Sequence, residues 1–334
     1  MTNKSEPIIG YIIDSDIGNM EVKTKLLIES IIRVKKSTDK VYVVKPNKIP
    51  YSNDTYSFFN QYNIVVEEIQ MNDFWNQNMM MSKIFILYYI ENLFAEEVDF
   101  FLFIDTDTLF LNPLSDSELY KHLLCLRPTD FADASLSEKN RENKIWGYLL
   151  EKFMVYDYKD WALTTTVDQQ ACYASFNSGF ILVSSKISFF KKWYSLANAI
   201  KNDSQFLNLL KNMRMFEHYL DQILFTLVVL KYFSKSDVLI LDSKYNFSLE
   251  SMFHGRKLHY SRDCPYLGEK IVLDELTHIH YHDKFRYYSS RKLFKKSQIK
   301  NIIYKYVPIN FSIRASIIQT IGHIYFLFRI RRCK

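Results

Sequence analysis

Short apolar runs alternate with longer amphipathic stretches along the first 125 residues of this 334-residue chain. Runs of four to six apolar residues favour buried strands, and apolar positions at helical spacing between them favour helices. This alternation is typical of an α/β domain in which strands lie between layers of helices. The predicted strands are residues 8–13, 41–44, 64–69 and 100–104, and the predicted helices are residues 20–34 and 81–94.

A less regular segment interrupts this pattern between residues 135 and 174. Aromatic residues occur there among charges, which indicates an inserted lid or a segment that faces an acceptor. Regular patterns then return, and they predict strands at residues 180–184, 238–241 and 277–281 and helices at residues 189–200 and 217–232. We therefore expect a globular part in residues 1–285, followed by a tail in residues 286–334.

Two carboxylates, Asp105 and Asp107, directly follow the apolar strand 100–104. Sheets of this class bind ligands at the carboxyl ends of their strands, where Asp14 is also expected. Acidic residues after a strand are often ordinary turn residues. Paired carboxylates beside a buried strand are nevertheless costly without a cation. Because Mg²⁺ and Mn²⁺ prefer oxygen ligands, the pair favours a divalent ion that neutralises charge on a diphosphate leaving group.

The same D-x-D pattern also occurs in haloacid dehalogenase-like phosphatases, in which the first Asp is a nucleophile. In those enzymes the motif usually opens the chain and has Gly in its fourth place. Here the motif begins about a hundred residues into the chain, Thr108 occupies the fourth place, and no G-D-x-x-x-D follows. The phosphatase is therefore the weaker alternative.

Composition narrows the class further. Hydrophobic residues make up 48% of the chain and charged residues 24%, which allows a large buried core. The four cysteines are scattered and form no C-x-x-C pair, so we expect neither a zinc site nor a disulfide framework, and a cytoplasmic location fits. No apolar run predicts a membrane span or a signal peptide. No G-x-G-x-x-G or P-loop occurs, so a metal ion and lysine must bind any phosphate.

The acidic pair is one of six short motifs that follow one another along the chain. They are Ser82-Lys83, Phe103-Ile104-Asp105-Thr106-Asp107, Asn177-Ser178-Gly179, Asp221-Gln222, Lys244-Tyr245-Asn246-Phe247 and the histidine-rich segment before Lys284. In this order they resemble family-8 glycosyltransferases, the group with the glycosyltransferase A fold that includes glycogenin and bacterial lipopolysaccharide galactosyl- and glucosyltransferases. The resemblance implies a Rossmann-like mixed sheet flanked by helices, with a nucleotide-binding half in residues 1–125 and an acceptor-side half in residues 126–285.

The resemblance also implies a role for the charged motifs. Asp105 and Asp107 ligate Mn²⁺ or Mg²⁺ with a histidine as the third protein ligand, and the ion holds the diphosphate of a nucleotide sugar, typically a UDP-hexose. Lys83 contacts this donor, and Lys284 binds the leaving diphosphate. The ordinary alternative for each lysine is a solvated surface charge. The family's Lys-Pro-Trp ending reads Lys284-Phe285-Arg286 here.

The third ligand has two candidates in the segment Thr277-His278-Ile279-His280-Tyr281-His282, where alternation places three histidines on one face of a strand. The family's histidine precedes an aromatic residue, which favours His280. Its spacing of six residues to the lysine favours His278 instead. We predict His280, with His278 as the alternative. A solvated strand face is the ordinary explanation for any one of these histidines.

Two further motifs have both a structural and a catalytic interpretation. Asn177 and Gly179 are suited to a turn, because Asn and Gly tolerate left-handed backbone conformations. The resemblance instead implies that Asn177 lines the sugar pocket and Gly179 permits a close approach. Asp221 and Gln222 are either polar residues on a helix surface or, by resemblance, catalytic, with Gln222 stabilising positive charge at the anomeric carbon. Asp168-Gln169 is a second such pair, but it precedes the Asn-Ser-Gly motif, whereas the family's pair follows it.

Two acidic residues near the amino terminus, Asp14 and Asp16, follow the first predicted strand. In the family this position binds the nucleotide, and a carboxylate there accepts hydrogen bonds from the base or the ribose. An ordinary turn is the alternative explanation for this segment.

The tail is strongly basic. From Arg286 onward the chain has twelve Lys or Arg and no acidic residue, so residues 1–285 carry a net charge of −6 although the whole chain carries +6. Apolar residues recur at helical spacing between residues 313 and 328, which favours a helix lying on an anionic membrane surface. A terminal helix packed on the domain is the alternative. No nucleic-acid-binding module is recognisable, so we expect no nucleic-acid partner.

These observations together predict a metal-dependent, retaining glycosyltransferase. It would move a hexose from a UDP-sugar to a glycan or lipid-linked glycan acceptor, as in lipopolysaccharide or capsule biosynthesis, in the cytoplasm at the inner face of a membrane. A catalytically silent sugar- or membrane-binding protein on the same fold is the remaining alternative.

Overall fold

The computed structural model describes residues 6–15, 19–46, 50–70, 79–137, 144–211, 213–248, 276–281 and 300–306. Twelve strands lie in these ranges: β1 Ile9–Asp14, β2 Lys40–Pro46, β3 Val65–Ile69, β4 Phe100–Ile104, β5 Thr108–Phe110, β6 Leu124–Pro128, β7 Ala162–Thr164, β8 Ala171–Tyr173, β9 Phe176–Ser184, β10 Val238–Ile240, β11 Phe247–Ser248 and β12 His278–His280. The helices of the same ranges are α1 Asn19–Val34, α2 Asn53–Gln61, α3 Met79–Phe94, α4 Lys144–Lys152, α5 Phe189–Ile200, α6 Ser204–Leu210, α7 Arg214–His218, α8 Leu220–Tyr232 and α9 Lys300–Tyr306.

A seven-stranded mixed sheet forms the centre of the molecule, in the order β10-β6-β9-β4-β1-β2-β3. Its strand pairs are parallel except for those of β9, which runs antiparallel to both β4 and β6. All five residues of β4 are buried, because helices cover both faces of the sheet. Phe101 and Phe103 pack in one core with α3, α5 and α8, whereas Leu102 and Ile104 pack in the other core with α1 and α2. The predicted α/β class, a mixed sheet flanked by helices, is confirmed.

Predicted and observed elements differ most between residues 135 and 174. The structure shows helix α4 and the hairpin of β7 and β8 there, and Trp146 and Trp161 belong to the main core. Among the exposed aromatic residues of this segment is Tyr156, with 70% of its surface accessible. Helix 217–232 was also predicted as continuous, but α7 ends at His218 and α8 begins at Leu220.

A small sheet in the order β11-β12-β5 lies beside the carboxyl end of β4. Strand β5 follows the acidic pair directly, and β12 runs antiparallel to it, so that His280 pairs with Thr108 and His278 pairs with Phe110. This pairing brings a strand from the far end of the chain next to Asp107. Its register determines which histidine reaches the acidic residues.

Only α9 of the basic tail lies within the described ranges. It packs on α1, where Ile303 is buried and Tyr306 donates from its hydroxyl to Glu29 at 2.8 Å. Lys305 forms an ion pair with the same carboxylate. The apolar run from residue 313 to 328 lies outside the described residues. Among the helices that are described, none has the length and apolar character needed to cross a membrane.

Candidate active site

A cleft of about 440 Å³ opens at the carboxyl ends of β1 and β4, beside the first residues of β9. Residues from distant parts of the sequence line it together. Asp16 and Lys284 lie outside the described residues. The other predicted site residues all contribute to the lining: Asp14, Lys83, Asp105, Asp107, Asn177, Gly179, Asp221, Gln222 and His280.

Three of these side chains form a group with the donor set of a divalent metal site. One ligand atom from each of Asp105, Asp107 and His280 lies within 4.8 Å of the other two. His280 Nε2 is 3.0 Å from Asp107 Oδ1, and the backbone N–H of Tyr281 donates to the Asp107 carbonyl at 3.0 Å. Carboxylate oxygens and one imidazole nitrogen fit Mn²⁺ or Mg²⁺ better than a thiolate-binding metal.

His278 lies away from this group, although it shares a strand face with His280. Its ring is buried between Phe110 and Phe180, at centroid distances of 4.6 and 5.0 Å. Neither ring nitrogen has a hydrogen-bond partner in the described part of the chain. Burial, with smaller contributions from His280 and Arg127, holds the pKa of His278 well below its ordinary value. The structure therefore brings His280, rather than His278, to the acidic pair. Both rings are buried, so the solvated-face explanation is wrong for these two histidines.

Lys83 is a buried cation that joins the acidic pair to helix α8. Its Nζ lies 3.2 Å from Asp105 Oδ1 and 3.3 Å from Asp221 Oδ2. The hydroxyl of Ser178 donates to the same oxygen of Asp221 at 2.7 Å. Lys83 is 7% exposed and Asp221 2%, so the surface explanations for both residues are wrong.

Two opposing effects determine the pKa values in this group: burial disfavours the charged forms, and neighbouring opposite charges favour them. Burial disfavours the charged form of Lys83, but the carboxylates of Asp105 and Asp221 outweigh it and raise the pKa of the ammonium. Burial also raises the pKa of Asp105, with repulsion from Asp107 acting in the same direction and attraction to Lys83 opposing it. For His280, burial is outweighed by the Asp107 carboxylate, and its pKa rises. A cation bound here would relieve the repulsion between the two carboxylates.

Gly179 lies inside strand β9, so the turn interpretation of the Asn-Ser-Gly motif is wrong. Its carbonyl accepts from the backbone N–H of Asp105 at 3.0 Å. A Cβ at this position would lie 2.3 Å from Asp105 Oδ2. Glycine is therefore needed for contact with the acidic pair rather than for a left-handed backbone. Asn177 accepts from the Gly179 N–H at 2.7 Å through its Oδ1.

Asp221 and Gln222, in the first turn of helix α8, face different surroundings. Asp221 is turned into the buried group around Lys83, whereas Gln222 is half-buried and lines the cleft. Asp14 lines the same cleft from the end of β1. In contrast, Asp168-Gln169 forms local bonds: Asp168 accepts from the Ala132 N–H, and Gln169 donates to the Thr165 carbonyl.

Comparison with known proteins shows the family of the chain. The sequence model of one protein family, the Rhodobacterales glycosyltransferase domain, matches residues 11–232. The chain belongs to this glycosyltransferase family. It is therefore a transferase, and the match favours neither a phosphatase nor a nucleic-acid-binding protein.

Solved structures of similar shape include two other glycosyltransferases. The first is mouse xyloside xylosyltransferase 1 in its apo form, with 11% identity, a TM-score of 0.44, and coverage of 83% of this chain and 99% of that one. The second is the glycosyltransferase GlyE of Streptococcus pneumoniae TIGR4, with 13% identity, a TM-score of 0.48, and coverage of 95% of this chain and 64% of that one. No curated protein matches the chain in sequence.

The cleft also contains an acidic residue that the sequence analysis did not select. Asp130 is 7% exposed and lies two residues beyond β6. Its Oδ1 accepts from Arg127 and from the Thr166 hydroxyl, each at 2.7 Å. Its charge contributes to the raised pKa of His280. The rule that identified Asp14 and Asp105, a carboxylate at the carboxyl end of a strand, missed Asp130 because no strand was predicted at residues 124–128, where the structure has β6.

Proposed function

We propose that this glycosyltransferase moves a hexose from a UDP-sugar to a glycan or lipid-linked glycan acceptor, on a glycosyltransferase A fold and with retention at the anomeric carbon. The observation that carries the proposal is the gathering of Asp105, Asp107 and His280 within 4.8 Å at the floor of the cleft. Such a group suits a donor whose leaving group is a diphosphate.

Asp105, Asp107 and His280 are the residues that would hold Mn²⁺ or Mg²⁺, and the bound ion supplies neutralisation of charge on the diphosphate. Lys83 fixes the orientation of Asp105, because its ammonium lies 3.2 Å from Asp105 Oδ1 and is itself held by the Asp221 carboxylate and the Ser178 hydroxyl. Its predicted direct contact with the donor stays a prediction. Lys284, a second predicted cation for the diphosphate, keeps that role in the proposal.

The sugar is bound between the acidic pair and helix α8. Gln222 lines the cleft at the start of this helix, where an amide oxygen stabilises positive charge at the anomeric carbon. Asn177 lines the cleft from β9, and Asp14, together with the predicted Asp16, binds the base or ribose. The anomeric C–O bond to the diphosphate breaks, the acceptor oxygen bonds to the same face, and the acceptor proton passes to the leaving group.

Phe131, Asp133, His218 and Tyr219 also line the cleft, and Tyr219 lies in the break between α7 and α8. In the proposal these residues contact the acceptor. Aromatic rings that alternate with polar groups are suited to binding the apolar faces and the hydroxyls of a sugar. This chemistry favours a glycan acceptor.

The experiment that tests the proposal measures thermal stabilisation and turnover of the full chain with UDP-glucose, UDP-galactose and their N-acetyl forms, with and without Mn²⁺. We expect at least one donor to stabilise the protein and to be slowly hydrolysed by it, and both effects to require the metal ion. Asp107→Asn should reduce turnover by about 100-fold or more, because it removes a charged ligand. Asp160→Asn, which changes an exposed carboxylate outside the cleft, is the matched control.

Two outcomes would contradict the proposal. Equal activity of Asp107→Asn and the wild type would show that Asp107 is not a ligand of a catalytic metal ion. Tight donor binding without any turnover, unchanged by Gln222→Ala, would favour the catalytically silent alternative.

We also propose that the basic tail, residues 286–334, holds the enzyme at an anionic membrane surface on the cytoplasmic side, where a lipid-linked acceptor of lipopolysaccharide or capsule type would lie. The support is the twelve cations of the tail and its apolar periodicity. In a flotation assay, the wild type should rise with vesicles that contain anionic lipid, whereas a variant with Arg329, Arg331 and Arg332 changed to Glu should not. Equal flotation of both proteins, or retention on neutral vesicles, would contradict it.

A further inference from the structure

The orientation of the Asn177 amide is determined by a backbone group. Its Oδ1 lies 2.7 Å from the backbone nitrogen of Gly179. A backbone N–H can only donate, so the atom that faces it must be the amide oxygen. The NH₂ group of Asn177 therefore points away from Gly179. Because Asn177 lines the cleft, this assigns it the role of a hydrogen-bond donor.

A second donor fixes the same oxygen. Asn246 Nδ2 lies 3.1 Å from Asn177 Oδ1, although the two residues are 69 positions apart in sequence. Asn246 precedes β11, which pairs with β12, the strand that carries His280. The side chain is completely buried, and its own Oδ1 has no hydrogen-bond partner in the described ranges. In the described residues, the side-chain amide of Asn246 therefore makes one hydrogen bond, its donation to Asn177.

The backbone of Asn246 limits which residues fit there. Its φ is 55°, in the left-handed region where Asn and Gly are the most readily accommodated residues. Glycine would satisfy the backbone but would remove the donor. Aspartate would keep the side-chain shape but present an acceptor to the oxygen of Asn177. Asparagine meets both requirements.

We infer that Asn246 is a positioning residue of this transferase: it holds the Asn177 amide so that the Asn177 NH₂ group donates to an oxygen of the bound donor sugar. The inference rests on the proposed function in so far as the Asn177 NH₂ group donates to a sugar, but the contact between the amides of Asn246 and Asn177 is independent of that function. Asn246 itself does not line the cleft. Its effect on the reaction passes through Asn177.

The test uses Asn246→Gly and Asn246→Asp in the full chain, because both tolerate the left-handed backbone. We expect each to reduce kcat/KM by about 10- to 100-fold, mainly through kcat, with Mn²⁺ affinity unchanged. Asn63→Gly is the matched control, since Asn63 has a φ of 52° in an exposed turn after α2. This control should retain wild-type kinetics.

A double-mutant cycle separates positioning from a purely structural role. In an Asn177→Ala background, Asn246→Gly should cause no further loss of kcat/KM, because the amide that it orients is absent. Losses that multiply would overturn the inference. A thermal-unfolding cycle with the same variants measures the contact without any donor. A coupling free energy of zero between the two substitutions in that cycle would overturn the inference, even if the enzyme is active. Measurable coupling in a protein that turns over no UDP-sugar would refute the proposed function, but the contact between the two amides would stand.

Discussion

Gly179 and Asp105 are in contact with no space for a side chain between them. A Cβ on Gly179 would lie 2.3 Å from Asp105 Oδ2 and 3.0 Å from Asn177 Oδ1. Lys83 pairs with the other oxygen of Asp105, Oδ1, so a shift of this carboxylate would disturb the ion pair. We predict that Gly179→Ala lowers Mn²⁺ affinity and reduces transfer by about 100-fold, as expected for displacement of a site group by about 1 Å. Metal titration and initial rates measure both effects.

Gly147→Ala provides the control for the glycine substitution. Gly147 lies on α4, and nothing is within 4 Å of a Cβ built there. Replacing an exposed helical glycine by alanine should stabilise the fold by roughly 0.5–1 kcal/mol and leave activity unchanged. Wild-type metal affinity in Gly179→Ala would show that Asp105 tolerates the displacement.

The two histidines of β12 should respond differently to substitution. His280→Ala removes a nitrogen that lies 3.0 Å from Asp107, and we predict at least about a tenfold loss of Mn²⁺ affinity. His278→Leu replaces a ring without hydrogen-bond partners in the described residues by an apolar group of similar size, so metal affinity should persist. Isothermal titration with Mn²⁺ distinguishes the two variants. The reverse order of effects would identify His278 as the ligand.

Sequence reasoning selected the acidic residues that the structure groups together more clearly than it selected the histidine beside them. Asp105 and Asp107 were identifiable because they end an apolar strand. The choice between His278 and His280 depends on the register of β12 against β5, which no local pattern encodes. Likewise, nothing local distinguishes Lys83 from a surface lysine, since its burial results from contacts with residues 22 and 138 positions away.

At the scale of elements, Asp203 joins two helices of the acceptor-side half, α4 and α6. It caps helix α6 by accepting from the Phe206 N–H at 3.0 Å, and it also accepts from Lys152 of α4 at 2.7 Å and from the Tyr148 hydroxyl. These donors hold the pKa of Asp203 well below its ordinary value. The connection between α4 and α6 therefore depends on a carboxylate.

We predict that Asp203→Asn lowers the thermal midpoint at neutral pH. The folded pKa is depressed, so the stabilisation is complete above the unfolded pKa of about 4 and is lost as the pH falls from there towards the folded value. The difference in midpoint between wild type and variant should thus shrink below about pH 4. Calorimetry across pH measures it, with exposed Asp157→Asn as control. Because asparagine is itself a good N-cap, a difference independent of pH would show that the charge of Asp203 is not the cause.

Periodicity predicted the central elements more successfully than their connections. Strands β1, β2 and β4 and helices α1, α3 and α5 were identified because each is either uniformly apolar or regularly amphipathic. The antiparallel insertion of β9 between β4 and β6 leaves no mark in local sequence, since a buried strand is apolar in either direction. The break at Tyr219 was missed because apolar residues continue across it.

At the scale of the whole molecule, α9 ties the beginning of the tail to the nucleotide-binding half. The contact consists of buried Ile303 and of Glu29, which pairs with Lys305 and accepts from Tyr306. We predict that Ile303→Ala with Glu29→Ala raises the rate of tryptic cleavage at Lys300 and Lys305 by about tenfold, because undocking exposes both bonds. Mass spectrometry of a timed digest measures this rate. An unchanged rate would show that α9 is already open to the protease in the wild type.

Asp107 and His280 are 173 positions apart, and they meet only through the pairing of β5 with β12. A chain emerging from the ribosome therefore presents its acidic pair long before it has the strand that completes the group. Shortened chains that end before β12 would retain the D-x-D motif without the assembled ligand set. With Asp107 and His280 as the proposed metal ligands, metal affinity would distinguish finished molecules from unfinished ones, and biosynthesis itself would delay catalytic competence until nearly the whole domain has been made.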